Sequence, residues 1–335
     1  MTPTGLLQGK TAVITGGTTG IGRAIALAYV AQGCDVAVNH LDLPKDKAHL
    51  ESLLAEAAAV KKRNPSAGRL AYLPGDVRDP SSGRQLIEFA LREFGKDRLD
   101  VCVANAGICT FADILGEESE DEEGHEEEHE GTVKVSGHNG ANMYSTGVNG
   151  NSHRVDGRLN WVNGYTNGHK NGSSHHRIAP LTLDLYTNTV RTNLDGTFYL
   201  LRAAARQMAL KQHPPGGSII GISSISALVG GGHQIHYTPT KAGVLSLMQS
   251  AAVALGRHGI RCNAILPGTV YTQLNEEDLR DEGKRAYMQG RIPLGRIGEP
   301  RDVAGPAVFL ACEELSGYVT GAQVLVDGGL FVNLQ

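Results

Sequence analysis

Residues 11–31, TAVITGGTTGIGRAIALAYVA, decide the fold of this chain. The segment opens with a short apolar run, continues through a glycine-rich turn from Gly16 to Gly22, and ends in an alanine-rich run typical of a helix. A strand, a glycine turn and a helix in this order form the arrangement that binds dinucleotides, because glycines let a pyrophosphate approach the N–H groups at the helix start. The glycines are spaced G-x-x-x-G-x-G rather than G-x-G-x-x-G. We therefore expect a phosphate-binding turn after the first strand.

Strand and helix patterns alternate along the rest of the chain, which favours a parallel sheet with helices on both faces. Predicted strands occupy residues 11–15, 35–39, 70–73, 100–104, 217–222, 261–265 and 323–326. Predicted helices occupy residues 21–32, 45–62, 81–94, 183–212, 239–258 and 301–312. The sequence therefore predicts an α/β fold with a doubly wound (Rossmann) seven-stranded parallel sheet. Ligands of such sheets bind beyond the carboxyl ends of the strands.

Residues 116–179 interrupt this alternation. An acidic run from Glu117 to Glu130 is followed by a stretch rich in Gly, Asn, Ser and His. This composition buries too little apolar surface to offset chain entropy, so we predict a disordered insertion within a single domain of residues 1–335. Its histidines do not repeat at zinc-ligand spacing, and no specific metal site is expected. An interaction segment and translated intron sequence are the alternative interpretations of this stretch.

Composition excludes several classes of protein. The 335 residues carry a formal net charge of −4, which gives no reason to expect nucleic acid as a partner. The cysteines show no C-x-x-C spacing, and no apolar run reaches the roughly 18 residues of a membrane span. The N-terminus lacks the apolar core of a signal peptide. These features predict a cytoplasmic protein with reduced cysteines and no membrane contact.

Tyr237 and Lys241 stand four residues apart at the start of a predicted helix. They fall on one helical face, where the lysine ammonium can lower the phenol pKa toward neutrality and make the phenolate a general base. Ser224, thirteen residues before the tyrosine, can hold a substrate oxygen if the fold brings it alongside. A Y-x-x-x-K pair alone is weak evidence, because ordinary helix surfaces often contain one. The pair gains weight from the glycine turn that precedes it in the chain.

In the order and spacing of its motifs, the chain resembles the short-chain dehydrogenase/reductase family. Besides the glycine turn, the matching motifs are Asp76-Val77, Asn105-Ala106-Gly107, Asn193, Ser224, Tyr237, Lys241 and Pro267-Gly268. Residues 217–243 and the ending VLVDGGLFVNLQ are most similar to fungal members that oxidise L-rhamnose at C1. The resemblance implies a small sugar substrate, a lactone product and hydride transfer to a nicotinamide cofactor. It also implies a homotetramer formed through the helices that bear Asn193 and Tyr237.

The catalytic residues implied by this resemblance are Ser224, Tyr237, Lys241 and Asn193. Ser224 would bind the reacting oxygen and Tyr237 would accept its proton. Lys241 would also hold the nicotinamide ribose, and Asn193 would position the lysine and an ordered water. Pro239, between the tyrosine and the lysine, departs from the small residues common there but is tolerated in a first helical turn.

The resemblance also implies a set of cofactor contacts. They are Gly16, Thr19, Gly20, Ile21, Gly22, His40, Asp76, Val77, Asn105, Ala106, Gly107, Tyr237, Lys241, Val270 and Thr272. Asp76 and Val77 would bind adenine, and residues 105–107 would line its ribose. The Val270 backbone and the Thr272 side chain would bind the nicotinamide carboxamide.

Cofactor choice depends on the residues that follow the second predicted strand. No basic side chain stands at Thr18, Thr19 or directly after the strand, and Asp42 would repel a 2′-phosphate. We therefore expect NAD to be preferred, with NADP as a second cofactor. Lys45 and Lys47 lie a little further on.

A sugar needs several polar groups around the reacting carbon. The residues expected to supply them are Ser224, Ser226, Gln234, Tyr237, Thr269 and Asn275. Residues 273–291 are interpreted as a mobile, charged helical flap that excludes water from the site.

Two rival functions stay open from the sequence. One is an NADPH-dependent carbonyl or 3-oxoacyl thioester reductase of the same family. The other is a non-catalytic nucleotide-sensing or scaffolding protein that uses the acidic insertion to bind partners. The combination of Ser224, Tyr237, Lys241 and Asn193 argues against the second, because a sensor has no need of a tuned base.

Overall fold

The computed structural model describes residues 5–116, 178–276 and 278–333. Its centre is a seven-stranded sheet in the order β3-β2-β1-β4-β5-β6-β7, with every neighbouring pair parallel. The strands are β1 Thr11–Ile14, β2 Asp35–His40, β3 Leu70–Pro74, β4 Val101–Ala104, β5 Gly217–Ile222, β6 Ile260–Pro267 and β7 Gln323–Val326. The predicted doubly wound fold is confirmed.

The strand order reverses on either side of β1, which places the turn after β1 at the switch point of the sheet. Ile14 at the end of β1 is in register with Val38 of β2 and with Val103 of β4. The loops that follow these three strands therefore lie side by side. In open parallel sheets, this crevice is where ligands bind.

Helices cover both faces of the sheet. They are α1 Gly20–Ala31, α2 Pro44–Arg63, α3 Ser82–Phe94, α4 Leu183–Val190, α5 Gly196–Leu210, α6 Thr238–Leu255, α7 Glu282–Gly290, α8 Pro300–Ala311 and α9 Glu313–Ser316. Helices α1 and α8 pack on one face, in a core that includes Tyr29 and Val303. Helices α3, α5 and α6 form the other core, which includes Leu200 and Met248. Among the described residues, no helix has the length and apolar character needed to cross a bilayer.

The helix predicted for residues 183–212 is not continuous. A π-helical turn, Arg191–Asp195, separates α4 from α5. The N–H of Gly196 donates to the carbonyl of Arg191, five residues back, and the Thr197 hydroxyl donates to the Asn193 carbonyl at 2.7 Å. π turns often occur at functional sites. Hydrophobic periodicity does not reveal such a one-residue expansion of a helix.

The predicted insertion of residues 116–179 lies outside the described residues, apart from residues 116, 178 and 179. The chain leaves and re-enters the described fold at adjacent points, because Asp113 and Pro180 form a parallel β-bridge. The Asp113 N–H donates to the Ala179 carbonyl at 2.8 Å, and the Leu181 N–H donates to the Asp113 carbonyl at 2.9 Å.

Candidate active site

The turn between β1 and α1 is shaped for an anionic ligand. Gly16 and Gly20 have positive φ angles of 62° and 53°, which favour glycine. A side chain at Gly22 would overlap the Gly16 carbonyl and the Asn105 amide. The side chain of Thr19, at the N-cap of α1, makes no capping hydrogen bond. The first N–H groups of a helix have no partner within the helix, so this end has donors for an anion; the pyrophosphate contacts at Thr19, Gly20, Ile21 and Gly22 stay a prediction.

The loop after β4 holds the carbonyl side of this turn. Asn105 Nδ2 donates to the carbonyls of Thr15 and Gly16, at 2.9 and 3.0 Å. The N–H groups of Asn105 and Ala106 both donate to Thr15 Oγ1, at 3.0 and 3.1 Å. The Asn105 amide is thus directed toward the turn, and it stabilises the crevice by binding the backbone carbonyls of the turn.

Tyr237, Lys241 and Ser224 come together at the carboxyl edge of the sheet. Tyr237 directly precedes α6 and Lys241 lies in its first turn, while Ser224 follows β5. The Ser224 hydroxyl lies close enough to the tyrosine phenol to lower the pKa of Tyr237. Lys241 Nζ lies 5.7 Å from the centre of the Tyr237 ring and donates to the Ile222 carbonyl at 3.0 Å. The tyrosine and the lysine are only 9% and 5% exposed.

Burial dominates the electrostatics of this pair. It lowers the pKa of Lys241 to about 8 and raises the pKa of Tyr237 above its usual value, because each charged form loses its hydration. The nearby Cys109 raises the tyrosine pKa further, and the Ser224 hydroxyl opposes both. The net pKa of the Tyr237 phenol is therefore raised, whereas the helical spacing predicted that the ammonium would lower it.

Asn193, in the π turn, is fully buried. Its Oδ1 accepts from the Ile108 N–H at 2.8 Å, and its Nδ2 donates to the Ile108 carbonyl and to Thr240 Oγ1 at 2.9 and 3.2 Å. The amide is therefore bonded to Ile108 and Thr240 rather than to Lys241. A side-chain carbon at Gly107 would lie 3.2 Å from Asn193 Oδ1 and 3.3 Å from Lys241 Nζ. Asn193 therefore fixes the loop at Gly107 and Ile108, which packs beside Lys241. The absence of a side chain at Gly107 leaves room between Asn193 and the lysine.

Two of the predicted cofactor contacts, Asp76 and His40, differ in their exposure to solvent. The Asp76 carboxylate is paired with Arg78, 2.6 Å between Oδ2 and Nη2, and this guanidinium lowers the pKa of Asp76. Neighbouring Val77 is buried against Gly196. The His40 ring is buried: its Nδ1 accepts from the Asp42 N–H at 3.0 Å, and the ring is tilted against Tyr72. The histidine is therefore buried, whereas Asp42, two residues beyond the end of β2, is exposed.

The loop after β6 meets the glycine turn. A side-chain carbon at Gly20 would lie 3.4 Å from Thr272 Cγ2, so Thr272 stands over the start of α1. Asn275 stabilises this loop, because its Nδ2 donates to the Val270 carbonyl at 2.9 Å and its Oδ1 accepts from the Thr272 N–H at 2.9 Å. Thr269 is half-buried, and its carbonyl accepts from the Gly298 N–H.

The remaining expected sugar contacts lie beside Ser224 and Tyr237. The Ser226 N–H donates to Ser224 Oγ at 3.1 Å. Gln234 Nε2 donates to Cys109 Sγ at 3.2 Å, which joins the loop before α6 to the loop after β4. Helix α7 forms part of the predicted flap, and its Lys284 Nζ lies 5.0 Å from the centre of the Phe111 ring. The flap and the loop after β4 therefore meet across this edge of the sheet.

Within residues 5–116, 178–276 and 278–333, no group of three or more His, Cys, Asp or Glu side chains is placed to hold a metal ion. The histidines of the insertion lie outside these ranges.

Comparison with known proteins decides the family. A family model described as short chain dehydrogenase matches residues 10–146, and one described as Enoyl-(Acyl carrier protein) reductase matches residues 152–331. The chain belongs to the short-chain dehydrogenase family. Its relatives include L-rhamnose-1-dehydrogenase of Scheffersomyces stipitis, which is 47% identical and matches over 99% of this chain and 100% of that protein.

A second relative of this short-chain dehydrogenase is L-rhamnose 1-dehydrogenase (NAD(P)(+)) of a Sphingomonas species. It is 42% identical over 98% of this chain and 99% of its own length. Among solved structures, a short-chain type dehydrogenase/reductase from Mycobacterium marinum superposes with a TM-score of 0.68 at 28% identity, covering 97% of this chain and 96% of that one.

Several residues that shape the site in this short-chain dehydrogenase were not among the sequence expectations. Thr15 anchors the loop after β4, and Ser223 Oγ donates to the Lys241 carbonyl at 2.7 Å. Asn39 contacts the glycine turn from the β2 side. Cys109 borders the tyrosine and the lysine, two positions after the Asn-Ala-Gly motif. The available signal was a place near the carboxyl end of a strand for Asn39 and a place in the loop after a strand for Cys109, whereas the partners of both are distant in sequence.

Proposed function

We propose that this enzyme oxidises L-rhamnose at C1 to L-rhamnonolactone, with hydride transfer to a nicotinamide cofactor. The observation that carries the proposal is the 47% identity, along 99% of the chain, to a protein named L-rhamnose-1-dehydrogenase. A buried tyrosine and lysine at the carboxyl edge of the sheet, with a serine hydroxyl beside the tyrosine, support the same chemistry.

In the proposed reaction, Ser224 donates a hydrogen bond to the C1 oxygen of the pyranose. Tyr237 accepts the C1 hydroxyl proton, the C1–H bond breaks and a C=O bond forms at C1. A bound nicotinamide nucleotide supplies the acceptor for the hydride. The products are the lactone, the reduced nucleotide and a proton held first on the Tyr237 oxygen. The protein contributes position and a proton acceptor.

Tyr237 must lose its proton before it can act as the base. Burial opposes this loss, whereas a positive charge near the phenol favours it. Lys241 lies against the tyrosine ring, and its ammonium form dominates below about pH 8. We propose that Lys241 supplies this charge and binds the nicotinamide ribose. Asn193 acts through the Gly107–Ile108 loop, which encloses the lysine.

We further propose that NAD is preferred and that NADP is also used. The exposed Asp42 carboxylate, just beyond the end of β2, disfavours a 2′-phosphate, and the neighbouring His40 ring is buried. A relative 42% identical to this chain has NAD(P)(+) in its name, which supports use of both nucleotides. The glycine turn and the uncapped start of α1 fit the pyrophosphate that the two share.

The sugar contacts are proposed to be Ser226, Gln234, Thr269 and Asn275, in addition to Ser224 and Tyr237. Gln234 is the best supported of these four additional contacts, because its amide is hydrogen-bonded to Cys109, which lies beside the tyrosine. The Asn275 amide stabilises its own loop, so its contribution to binding is proposed to be indirect.

A homotetramer is proposed as well, formed through α5 and the helix that Tyr237 begins. Phe198 of α5 and Val253 of α6 are 45% and 88% exposed, which leaves apolar surface on both helices for another copy to cover. Native mass spectrometry tests this assembly: a tetramer supports it and a monomer rejects it.

Initial rates with several substrates and both nucleotides test the proposed function. L-rhamnose should give the highest kcat/KM, above L-lyxose and L-mannose, with NAD as the better acceptor. A 3-oxoacyl thioester should be inert with either reduced nucleotide. Rapid reduction of the thioester with NADPH and no oxidation of L-rhamnose would favour the rival reductase.

A further inference from the structure

Asn39, the fifth residue of β2, makes three hydrogen bonds to backbone groups of neighbouring loops. Its Oδ1 accepts from the Gly16 N–H at 2.9 Å, and its backbone carbonyl accepts from the Gly17 N–H at 3.2 Å. Its Nδ2 donates to the Gly75 carbonyl at 3.0 Å. The residue is 4% exposed, so these bonds form away from water. One buried residue thus joins the glycine turn, the end of β2 and the turn after β3.

Asn39 and Asn105 hold opposite sides of the same turn. Asn105 donates to the carbonyls of Thr15 and Gly16, while Asn39 accepts from the N–H groups of Gly16 and Gly17. Their strands, β2 and β4, flank β1 in the sheet. The peptide groups of the turn are therefore fixed from both sides by the protein itself.

The N–H groups of the glycine turn and those at the start of α1 have different roles in this arrangement. The N–H groups of Gly16 and Gly17 are bound by Asn39, which leaves those at the start of α1 for an anionic ligand. Gly75, the third partner, directly precedes Asp76 at the proposed adenine end. Loss of the Asn39 amide would release the Gly16 N–H and the Gly75 carbonyl together, while the Gly17 N–H would keep its bond to the Asn39 backbone carbonyl.

We infer that Asn39 is a positioning residue for the dinucleotide, holding the phosphate-binding turn and the adenine end of the crevice in register. The inference rests on the proposed use of a nicotinamide nucleotide. It assigns Asn39 no contact with the sugar or with the reacting atoms.

A second buried asparagine provides a control for the purely structural effect of losing an amide side chain. Asn263 in β6 is also buried, its Nδ2 donates to the Val319 carbonyl at 2.9 Å, and its Oδ1 accepts from the Ala322 N–H at 3.0 Å. Ala322 directly precedes β7, so these bonds lie at the amino end of that strand, away from the nucleotide crevice. Asn39→Ala and Asn263→Ala each remove a buried amide that makes two backbone hydrogen bonds.

The test is calorimetric titration of wild type, Asn39→Ala and Asn263→Ala with ADP-ribose and with NADH. Asn39→Ala should raise both dissociation constants by about tenfold, and Asn263→Ala should leave them within about twofold, although both variants melt at a lower temperature. At saturating sugar, KM for NAD should rise with Asn39→Ala. At saturating NAD, KM for the sugar should stay within about twofold. Unchanged affinities in Asn39→Ala, or equal weakening in both variants, would overturn the inference.

A measurement on the wild type keeps the inference testable if Asn39→Ala does not fold. Amide hydrogen exchange should be slow at Gly16 and Gly17 without ligand and should change little with ADP-ribose, whereas Gly20 and Ile21 should gain protection. Exchange of Gly16 and Gly17 at the rate of an open loop would overturn it. A wild type that binds neither ADP-ribose nor NADH would reject the proposed nucleotide function itself. Normal wild-type binding with an unaffected Asn39→Ala variant rejects this inference alone.

Discussion

Lys241 Nζ lies 5.7 Å from the centre of the Tyr237 ring, and both side chains are almost completely buried. Burial shifts the pKa values of the two groups in opposite directions: it lowers the pKa of the lysine and raises the pKa of the tyrosine. A buried ammonium beside a phenol is poor for stability and useful for proton transfer. The proposed chemistry therefore has a cost that can be measured in the folded protein.

Lys241→Met should stabilise the protein at pH 7 while abolishing its activity. The folded pKa of about 8 is below the ordinary value of 10.5, so the unfolded chain binds more protons between these pH values and wild-type stability rises across this window. Below pH 8 the penalty is fully present and is worth about 3 kcal/mol. Loss of the hydrogen bond to Ile222 offsets part of the gain, which leaves about 1–2 kcal/mol.

Urea unfolding at pH 7 and pH 9.5 measures this effect, with the exposed Lys62→Met as the control. The gain in unfolding free energy should be smaller at pH 9.5 than at pH 7 for Lys241→Met and absent for Lys62→Met. A destabilised Lys241→Met at both pH values would contradict the assigned burial penalty.

Tyr237→Phe should lower kcat for L-rhamnose oxidation by a factor of about 1,000 or more, because it removes the proton acceptor and keeps the ring. The affinity for ADP-ribose should stay within about twofold, and the melting temperature should change by only a few degrees. The exposed Tyr318→Phe serves as the control and should keep normal rates. Wild-type turnover by Tyr237→Phe would remove this residue from the mechanism.

Asp42→Asn should improve the use of NADP. The change removes the exposed negative charge at the end of β2 and keeps a side chain that tolerates the φ of 63° at this position. We expect kcat/KM for NADP to rise about three- to tenfold and kcat/KM for NAD to change by less than twofold. Steady-state rates with each nucleotide at saturating sugar make the comparison. An equal change for both nucleotides would show that Asp42 does not discriminate between them.

Deletion of residues 117–177, with a short glycine linker, should preserve catalysis. The residues that flank the segment already lie close together, because Asp113 pairs with Pro180 and a side-chain carbon at Gly116 would lie 2.7 Å from Pro180 Cα. We expect kcat/KM to stay within about threefold and the melting temperature within a few degrees. A folded deletion variant without activity would make the segment part of the catalytic machinery.

Features that follow from hydrophobic periodicity or from a fixed sequence motif could be predicted from the sequence. The glycine turn, the seven strands and the approach of Ser224 to Tyr237 are all of this kind, because a parallel sheet brings residues after its strands to one edge. Features that depend on contacts between distant residues were not predicted. The π turn at Asn193 and the contacts of Asn39 with Gly16 and Gly75 belong to this group.

Two expectations about side chains changed for the same physical reason. Spacing on a helix suggested that Lys241 lowers the tyrosine pKa, but spacing carries no information about loss of hydration. His40 follows the predicted strand, yet its ring turns inward to accept from the Asp42 N–H. Burial, rather than the order of residues, decides both outcomes.

The most direct test of the central claim uses L-rhamnose deuterated at C1, with NAD and the wild-type enzyme. We expect one deuterium in the NADH formed, L-rhamnonolactone as the sugar product, and a slower rate than with unlabelled sugar when the chemical step limits turnover. NADH without deuterium, or oxidation at another carbon of the sugar, would contradict it.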